Sequence, residues 1–440
     1  MSEPTPTQQP ITPELKALAA RLLKLDDLLI SCMRCGFCLA TCPVYGATMK
    51  EADATRGKIA LLEYLSHHMT NDPEAVYDKL GRCLLCGSCQ SVCPSGVRIM
   101  DIFLHARGIV RDYLGLSSTE KFIFRGLLAK PKLFNALLGI SAKFQGLFVK
   151  EADAALGTYK APMLNSFIGD RHFPRLASES FHSKTSSLDE SPGSTGLRAA
   201  FFPGCATDKI FPSVADATLK ILRKHGVGVF MPDNLACCGI PALSGGDISA
   251  CRTMITHNLG LLRQGKFDYL ITPCATCAST IKEFWPKMSE GFSPADQELI
   301  SLLHDKTMDI TAFLTDALKV SLPAREGGGK RVTYHDSCHL RKSLGVFNQP
   351  RAILKSLPGF EFVEMAEADR CCGSGGSFML KHYDLSKNIG QRKRDNITAV
   401  KPDTVAAACP ACMMQLMDML SQNGDAMKVR HVAEMYAETL

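Results

Sequence analysis

Cysteine is the residue type best placed to do chemistry in this chain, and it occurs in two distinct spacings. The first is Cys32-x2-Cys35-x2-Cys38-x3-Cys42-Pro43, repeated as Cys83-x2-Cys86-x2-Cys89-x3-Cys93-Pro94. Four thiolates held so tightly can converge on the corners of an iron–sulfur cubane: three from a short loop wrap one face, and the proline turns the chain away after the fourth. Zinc also uses Cys-x-x-Cys, but it needs two such pairs, whereas each run here supplies four cysteines on its own. The second spacing is Cys205-x31-Cys237-Cys238-Gly239-x34-Cys274-x2-Cys277, which recurs as Cys338-x32-Cys371-Cys372-Gly373-x35-Cys409-x2-Cys412. Adjacent cysteines diverge, which suits a multi-iron cluster better than one tetrahedral ion. The glycine after each pair lets backbone approach closely or take positive φ. Zinc or a buried thiol cluster is the plainer alternative for this second pattern.

These thiols need elements to carry them. A helix is expected over residues 12–29, where Leu15, Leu18, Leu22, Leu25 and Leu29 share one face. Residues 56–69 and 73–80, between the two runs, also have helical periodicity, and a helix-rich stretch without cysteine extends to about residue 170. Seven serines within 178–194 read as an exposed linker, and a second break falls near 324–330, at Glu326-Gly327-Gly328-Gly329-Lys330. Beyond the linker the five cysteines of the first set recur in the second at offsets of 133, 134, 134, 135 and 135. In each half a short apolar run precedes each cysteine group: 199–202 and 332–334 lead to the first, and 269–272 and 405–408 lead to Cys-x-x-Cys. Helical runs lie between them, over 214–224 and 350–357. Strands alternating with helices favour a parallel sheet, at whose carboxyl edge such groups can converge.

Composition excludes several classes. Fifty Lys plus Arg against 44 Asp plus Glu is too weak a basic balance, over 440 residues, to suggest nucleic acid. Nineteen cysteines in so long a chain do not suggest a small disulfide scaffold. Residues 1–13 have neither the basic nor the apolar region of a secretory signal, and no run of eighteen apolar residues occurs, so a cytoplasmic chain is expected. No Gly-x-Gly-x-x-Gly enters a helix: Gly226-Val227-Gly228 lacks the third glycine, and Gly373–Gly376 belongs to a cluster loop. No flavin or nicotinamide site is therefore expected here.

The two four-cysteine runs resemble ferredoxins with two clusters, in which the fourth cysteine of each run serves the other cluster. That implies Cys32, Cys35, Cys38 and Cys93 on one [4Fe–4S] cluster and Cys83, Cys86, Cys89 and Cys42 on the other. The helical spacer is similar to the all-helical modules of succinate dehydrogenase and heterodisulfide reductase. Arg56-Gly57-Lys58 matches a common feature of those modules and equally suits a solvated helix start. The second spacing resembles the CCG domain of heterodisulfide reductases, whose five cysteines bind a non-cubane [4Fe–4S] cluster. The resemblance implies one such cluster on Cys205, Cys237, Cys238, Cys274 and Cys277, and another on Cys338, Cys371, Cys372, Cys409 and Cys412. Single cubanes with a spare cysteine stay open. Cys251 belongs to no motif and reads as a free core thiol. His335 and His339, in Tyr334-His335-Asp336-Ser337-Cys338-His339, could tune a cluster or carry a proton, but read first as structural histidines.

The order of modules, over about residues 15–435, resembles the glycolate oxidase iron–sulfur subunit family. The corresponding relay component of anaerobic glycerol-3-phosphate dehydrogenase shares much of the layout. The expected architecture is multidomain α plus α/β: a tail at 1–14, a helical two-cluster ferredoxin domain at 15–115, and a helical connector with its Ser-rich linker at 116–195. Two duplicated Rossmann-like CCG domains follow, at 196–325 and 326–440. The resemblance implies an electron relay. Iron–sulfur centres pass single electrons, whereas alcohol oxidation needs a two-electron acceptor, so an FAD-containing 2-hydroxy-acid dehydrogenase subunit is the expected partner. Quinone or another carrier is the expected acceptor. Residues 121–150 carry six Lys or Arg and no acid among many apolar residues. They suit either the inner membrane surface or packing on the ferredoxin domain. A disulfide-reducing activity of the CCG half is the competing enzyme reading.

Overall fold

The computed structural model describes residues 11–164, 168–324 and 328–440. Most of the expected N-terminal tail, and Glu326 and Gly327 of the second break, lie outside the described residues.

The helical module follows its leucine spacing, except that the helix expected over 12–29 is interrupted by a 3-10 turn at Leu23–Leu25. Helix Pro13–Leu22 starts at a Thr12 cap, whose hydroxyl accepts from the Leu15 N–H at 3.2 Å, and buries Leu15, Leu18 and Leu22. It packs on Thr55–Ser66 and on Ile99–Leu114. The last is the central post: Ile102, Phe103, Leu104, Ala106 and Val110 are all fully buried. Each large apolar side chain hidden there stabilises the fold by roughly 1.5–3 kcal/mol before entropy is counted. Asp72 caps Pro73–Gly81, the second spacer helix.

The connector departs from expectation after Leu147. Helices Phe122–Leu128 and Pro131–Phe144 are present, but a three-stranded antiparallel sheet follows: β1 (Lys150–Asp153), β2 (Thr158–Lys160) and β3 (Phe173–Pro174). The cause is local. The Asp153 carboxylate accepts from the Ala155 and Leu156 N–H groups, and Gly157 takes φ +63°, so the chain reverses. The Ser-rich segment is exposed over most of its length, as expected, but is anchored at two points. Among its serines, Phe181 is fully buried edge-on to Phe201 at 5.8 Å, and Leu188 enters a strand, so apolar anchors strap the segment onto the body.

That strand, β4 (Leu188–Asp189), is the antiparallel edge of a sheet whose other members are parallel: β5 (Arg198–Phe201), β6 (Gly228–Met231), β7 (Tyr269–Thr272) and β8 (Thr307–Asp309), in the order β4-β6-β5-β7-β8. A second sheet holds β9 (Lys330–His335), β10 (Phe360–Phe362), β11 (Thr404–Ala407) and β12 (Lys428–His431), all parallel, in the order β10-β9-β11-β12. Without β4, the two orders are the same. The middle strands read as unbroken buried runs, as sheets covered on both faces require.

The halves and the helical module are joined by polar contacts. Tyr77 donates to the Gly245 carbonyl at 2.8 Å, Ser213 to Glu434 at 2.7 Å, and the Ala275 N–H to the Ala408 carbonyl at 3.2 Å. Their effect is to bring the carboxyl ends of both sheets toward the two cysteine loops of the helical module.

Candidate metal centres

The helical module holds two cysteine-lined cavities. One is lined by Cys32, Cys35, Cys38 and Cys93, the other by Cys42, Cys83, Cys86 and Cys89. Each run thus lends its fourth cysteine to the other cavity, and Thr55 borders both. The loops share a backbone signature: Arg34 and Leu85, each just before the second cysteine of its run, take φ +56° and +52°. Left-handed backbone at non-glycine residues costs roughly 1 kcal/mol each, so it persists where loop geometry is needed.

In the first α/β half the Cys205 and Cys237 sulfurs lie 3.9 Å apart. The Cys238 thiol meets those of Cys237 and Cys277, and Cys277 meets Cys274, so all five converge. In the second half Cys371 meets Cys338 and Cys372, and Cys412 meets Cys372 and Cys409. The glycine of each Cys-Cys-Gly is required. Gly239 and Gly373 take φ +97° and +94°, and a Cβ there would lie 2.7 Å from the Cys251 sulfur or 2.5 Å from the Ser386 carbonyl oxygen. Cys251 is fully buried beneath the first loop and joins no cysteine set.

The four sets stand in file. The cavities of the helical module adjoin at Thr55. Cys86 then faces Cys371 and Cys338 of the second half. The Cys409 thiol contacts Cys274 of the first half. His339 of the second half reaches both neighbours: its Nε2 lies 3.1 Å from the Leu85 carbonyl oxygen of the helical module and its Nδ1 lies 3.3 Å from the Thr276 hydroxyl of the first half, itself 3.3 Å from the Cys409 sulfur. Lys342 of the second half donates to Ser88 at 2.6 Å, and Ser88 lies 3.4 Å from the Cys86 sulfur. The second half is therefore the middle of the file, although it is last in the chain.

Two family models match this chain. Residues 29–97 match the 4Fe-4S dicluster domain, and residues 199–282 and 332–417 each match the cysteine-rich domain CCG. Lactate utilization protein A of Geobacillus sp. is 31% identical over 238 residues, which is 54% of this chain and 98% of the relative. This chain belongs to the family of lactate utilization protein A and the glycolate oxidase iron–sulfur subunits. The probable glycolate oxidase iron–sulfur subunit of Bacillus subtilis is 28% identical over 428 residues, 93% of this chain and 94% of the relative. One component of the dihydromethanophenazine:CoB–CoM heterodisulfide reductase of Methanosarcina mazei is 27% identical over 445 residues, 96% of this chain and 95% of the relative. Like its family, the chain carries multiple iron–sulfur clusters.

The surroundings fit such groups. Burial, with Cys371 beside it, pushes the Cys86 thiol up to about 12. Hydrogen bonds to Cys372 and Cys409, together with burial, push Cys412 up as well. Thiols so crowded can ionise together only around a cation, which iron supplies. The protein adds cations of its own. Lys58 is buried beside Cys42 and Cys83, its ammonium donating to the Asp53 carbonyl. Preceding it, Gly57 leaves no room for a side chain, since a Cβ would lie 2.2 Å from the Glu51 carbonyl oxygen. Gly57 and Lys58 are thus packed into the centre, while Arg56, ion-paired to Glu51 at 2.6 Å, stays partly exposed at the helix start. Arg107, fully buried, donates to the Leu80, Cys83 and Ser244 carbonyls and so ties the second cavity to the first α/β half. Lys393 is buried beside Cys371 and Cys372, donating to the Glu367 and Ala368 carbonyls. Sequence reading missed Thr276, Arg107 and Lys393. The repeat offset of 135 could have found Lys393, which aligns with Asn258; nothing in composition distinguishes a buried arginine from a surface one. His335 has no hydrogen-bond partner at either ring nitrogen among the described residues, and burial, with Lys393 nearby, pushes its pKa down to about 3.

Proposed function

We propose that this chain is the electron-transfer subunit of a flavin-dependent 2-hydroxy-acid dehydrogenase of the glycolate or D-lactate type. It receives electrons from an FAD-containing partner subunit and passes them to a quinone or another carrier. The observation that carries this reading is the file of four thiol sets, in which two cavities adjoin at Thr55, Cys86 faces Cys371, and Cys409 meets Cys274. In this reading Cys32, Cys35, Cys38 and Cys93 hold one [4Fe–4S] cluster and Cys83, Cys86, Cys89 and Cys42 the second. The five-cysteine sets of the two halves hold further [4Fe–4S] clusters of non-cubane form. Residues 15–115, 116–195, 196–325 and 326–440 are the ferredoxin module, the connector and two Rossmann-like CCG units; their common strand order supports an origin by duplication. When bound, the clusters supply one-electron carriers. The chain's own side chains hold the sulfurs, exclude water from the inner sets and offset thiolate charge through Lys58, Arg107 and Lys393.

Relatives named for glycolate oxidase and lactate utilization support the substrate class. No helix among the described residues is long and apolar enough to cross a membrane. Peripheral binding to the inner membrane face is supported by the exposed Phe122, Ile140, Phe144, Leu147 and Phe148 among the basic residues of 121–150. The test is anaerobic co-purification with the partner. About 16 iron per chain, and bleaching of the visible absorption by glycolate or D-lactate, is the expected result. A complex that holds flavin yet bleaches with neither acid would sink the reading. The likeness to the Methanosarcina heterodisulfide reductase component favours a second reading, disulfide reduction by the α/β halves. It requires the reduced isolated chain to be oxidised by a disulfide.

A further inference from the structure

We propose that His335 is an additional iron ligand of the second α/β half, so that this half holds its cluster with five cysteines and one imidazole. The inference rests on the iron–sulfur reading of that half.

Three observations converge on His335. A ring nitrogen of His335 and the sulfurs of Cys372 and Cys412 all lie within 4.8 Å of one another, and all three residues are buried. That spacing suits three ligands on one iron or on neighbouring irons. The side chain is fully buried, and neither ring nitrogen has a hydrogen-bond partner among the described residues. A buried polar group without a partner costs roughly 1–3 kcal/mol, so a histidine kept there calls for something to bind. Finally, the repeat supplies an internal control. At the offset of 133 residues His335 aligns with Phe202, also fully buried, just after the corresponding strand. An apolar ring satisfies that place in the first half, so the fold itself does not demand a polar residue there.

His339 is excluded from this role by its own contacts, since both of its nitrogens are engaged, by the Leu85 carbonyl and the Thr276 hydroxyl. Lys393 stands beside the site but cannot ligate while its ammonium donates to two carbonyls.

The test is pulsed paramagnetic resonance on the full chain, purified anaerobically with its clusters and poised where the second-half signal is strongest. Loss in Cys372→Ser identifies that signal. The expected spectrum carries a nitrogen coupling of the strength of a directly bound imidazole. It changes to the 15N pattern when histidine alone is 15N-labelled, persists in His339→Gln and disappears in His335→Gln. Labelled His339→Gln protein gives the answer even if His335→Gln does not fold. A second-half signal without histidine coupling, or with only the weak coupling of a hydrogen-bonded ring, overturns the ligand and leaves the cluster reading intact. No iron in the second half overturns both.

Discussion

The two α/β halves share a cysteine pattern and a strand order, yet their cysteine sets sit in unlike surroundings. In the first half Phe202-Pro203 follows the strand that leads to the ligand loop; in the second the aligned pair is His335-Asp336, with His335 the last residue of its strand. Asn258, buried in the first half, donates its side-chain N–H to the Cys237 carbonyl at 3.2 Å. Its aligned residue in the second half, Lys393, performs the same clamping of the preceding loop but brings a positive charge. Cys251 aligns with Ser386, and each lies against the glycine of its own Cys-Cys-Gly loop. Around Cys338, Asp336 pairs with Arg351 at 2.8 Å and with Arg341 at 2.7 Å. The two halves share a strand order and differ in polar lining. The difference follows position: the second half's cysteine set lies between those of the ferredoxin module and the first half, whereas Cys205 and Cys237 of the first half border a cavity shared with Pro131, Phe134 and His182. A middle site must match neighbours on both sides in potential, and charge near the sulfurs is the lever for that.

The most severe way to break the comparison is Cys372→Ser. It should lower iron from roughly 16 to roughly 12 per chain and separate the ferredoxin module from the first half. Freeze-quenched spectra should then show no electron exchange between those two regions, while Cys238→Ser leaves exchange between the ferredoxin module and the second half in place.

Next is Asp336→Asn. Burial disfavours the Asp336 carboxylate, but Arg351 and Arg341 hold it below its ordinary value of 3.8. Removing the charge takes a partner from Arg341 and one of two carboxylates from Arg351, which keeps Glu364, and should destabilise the second half by about 2 kcal/mol at neutral pH, seen as earlier loss of hydrogen-exchange protection on β9. A depressed carboxylate stabilises above its unfolded value and loses that contribution as pH falls through the folded one. The gap between wild type and variant should therefore narrow below about pH 4.

Lys393→Gln sharpens the comparison by giving the second half a neutral donor like Asn258. Its midpoint potential should fall by roughly 100 mV, the scale of one unit charge a few ångströms away at an effective dielectric of about 20. Potentiometric titration would show whether the first-half potential stays where it was; an equal fall in both would mean the halves are not electrostatically distinct.

The smallest effect is expected from His339→Gln, which loses at most two hydrogen bonds across the junction. Destabilisation of about 1 kcal/mol, localised to exchange protection at residues 84–88, is the expected outcome.

Much of the candidate site was legible before any coordinates. Eighteen cysteines at two spacings were enough to mark where metal would be held, because ligand spacing is a local property. Helices 13–22, 55–66 and 73–81 followed from periodicity, and the apolar runs ahead of the cysteine groups marked β5, β7, β9 and β11. The reading failed where a few apolar residues decide the outcome against composition. Phe181 and Leu188 pin a serine-rich segment that looked like free linker, and the Asp153–Gly157 turn ends a stretch that looked helical. It also failed for charged residues: Lys58, Arg107 and Lys393 have the same letters as solvated side chains, and only packing shows that they are buried against thiols.

The sequence by itself determined that this chain gathers thiols into four sets, because each set is written in spacings that a loop or a strand end carries with it. Only the tertiary structure decided the order of those sets. Chain order puts the second half last, but docking of the sheets' carboxyl ends onto the ferredoxin loops places Cys371 against Cys86 and Cys409 against Cys274. Which sulfur faces which across a module boundary depends on surfaces remote in sequence, and no spacing encodes it.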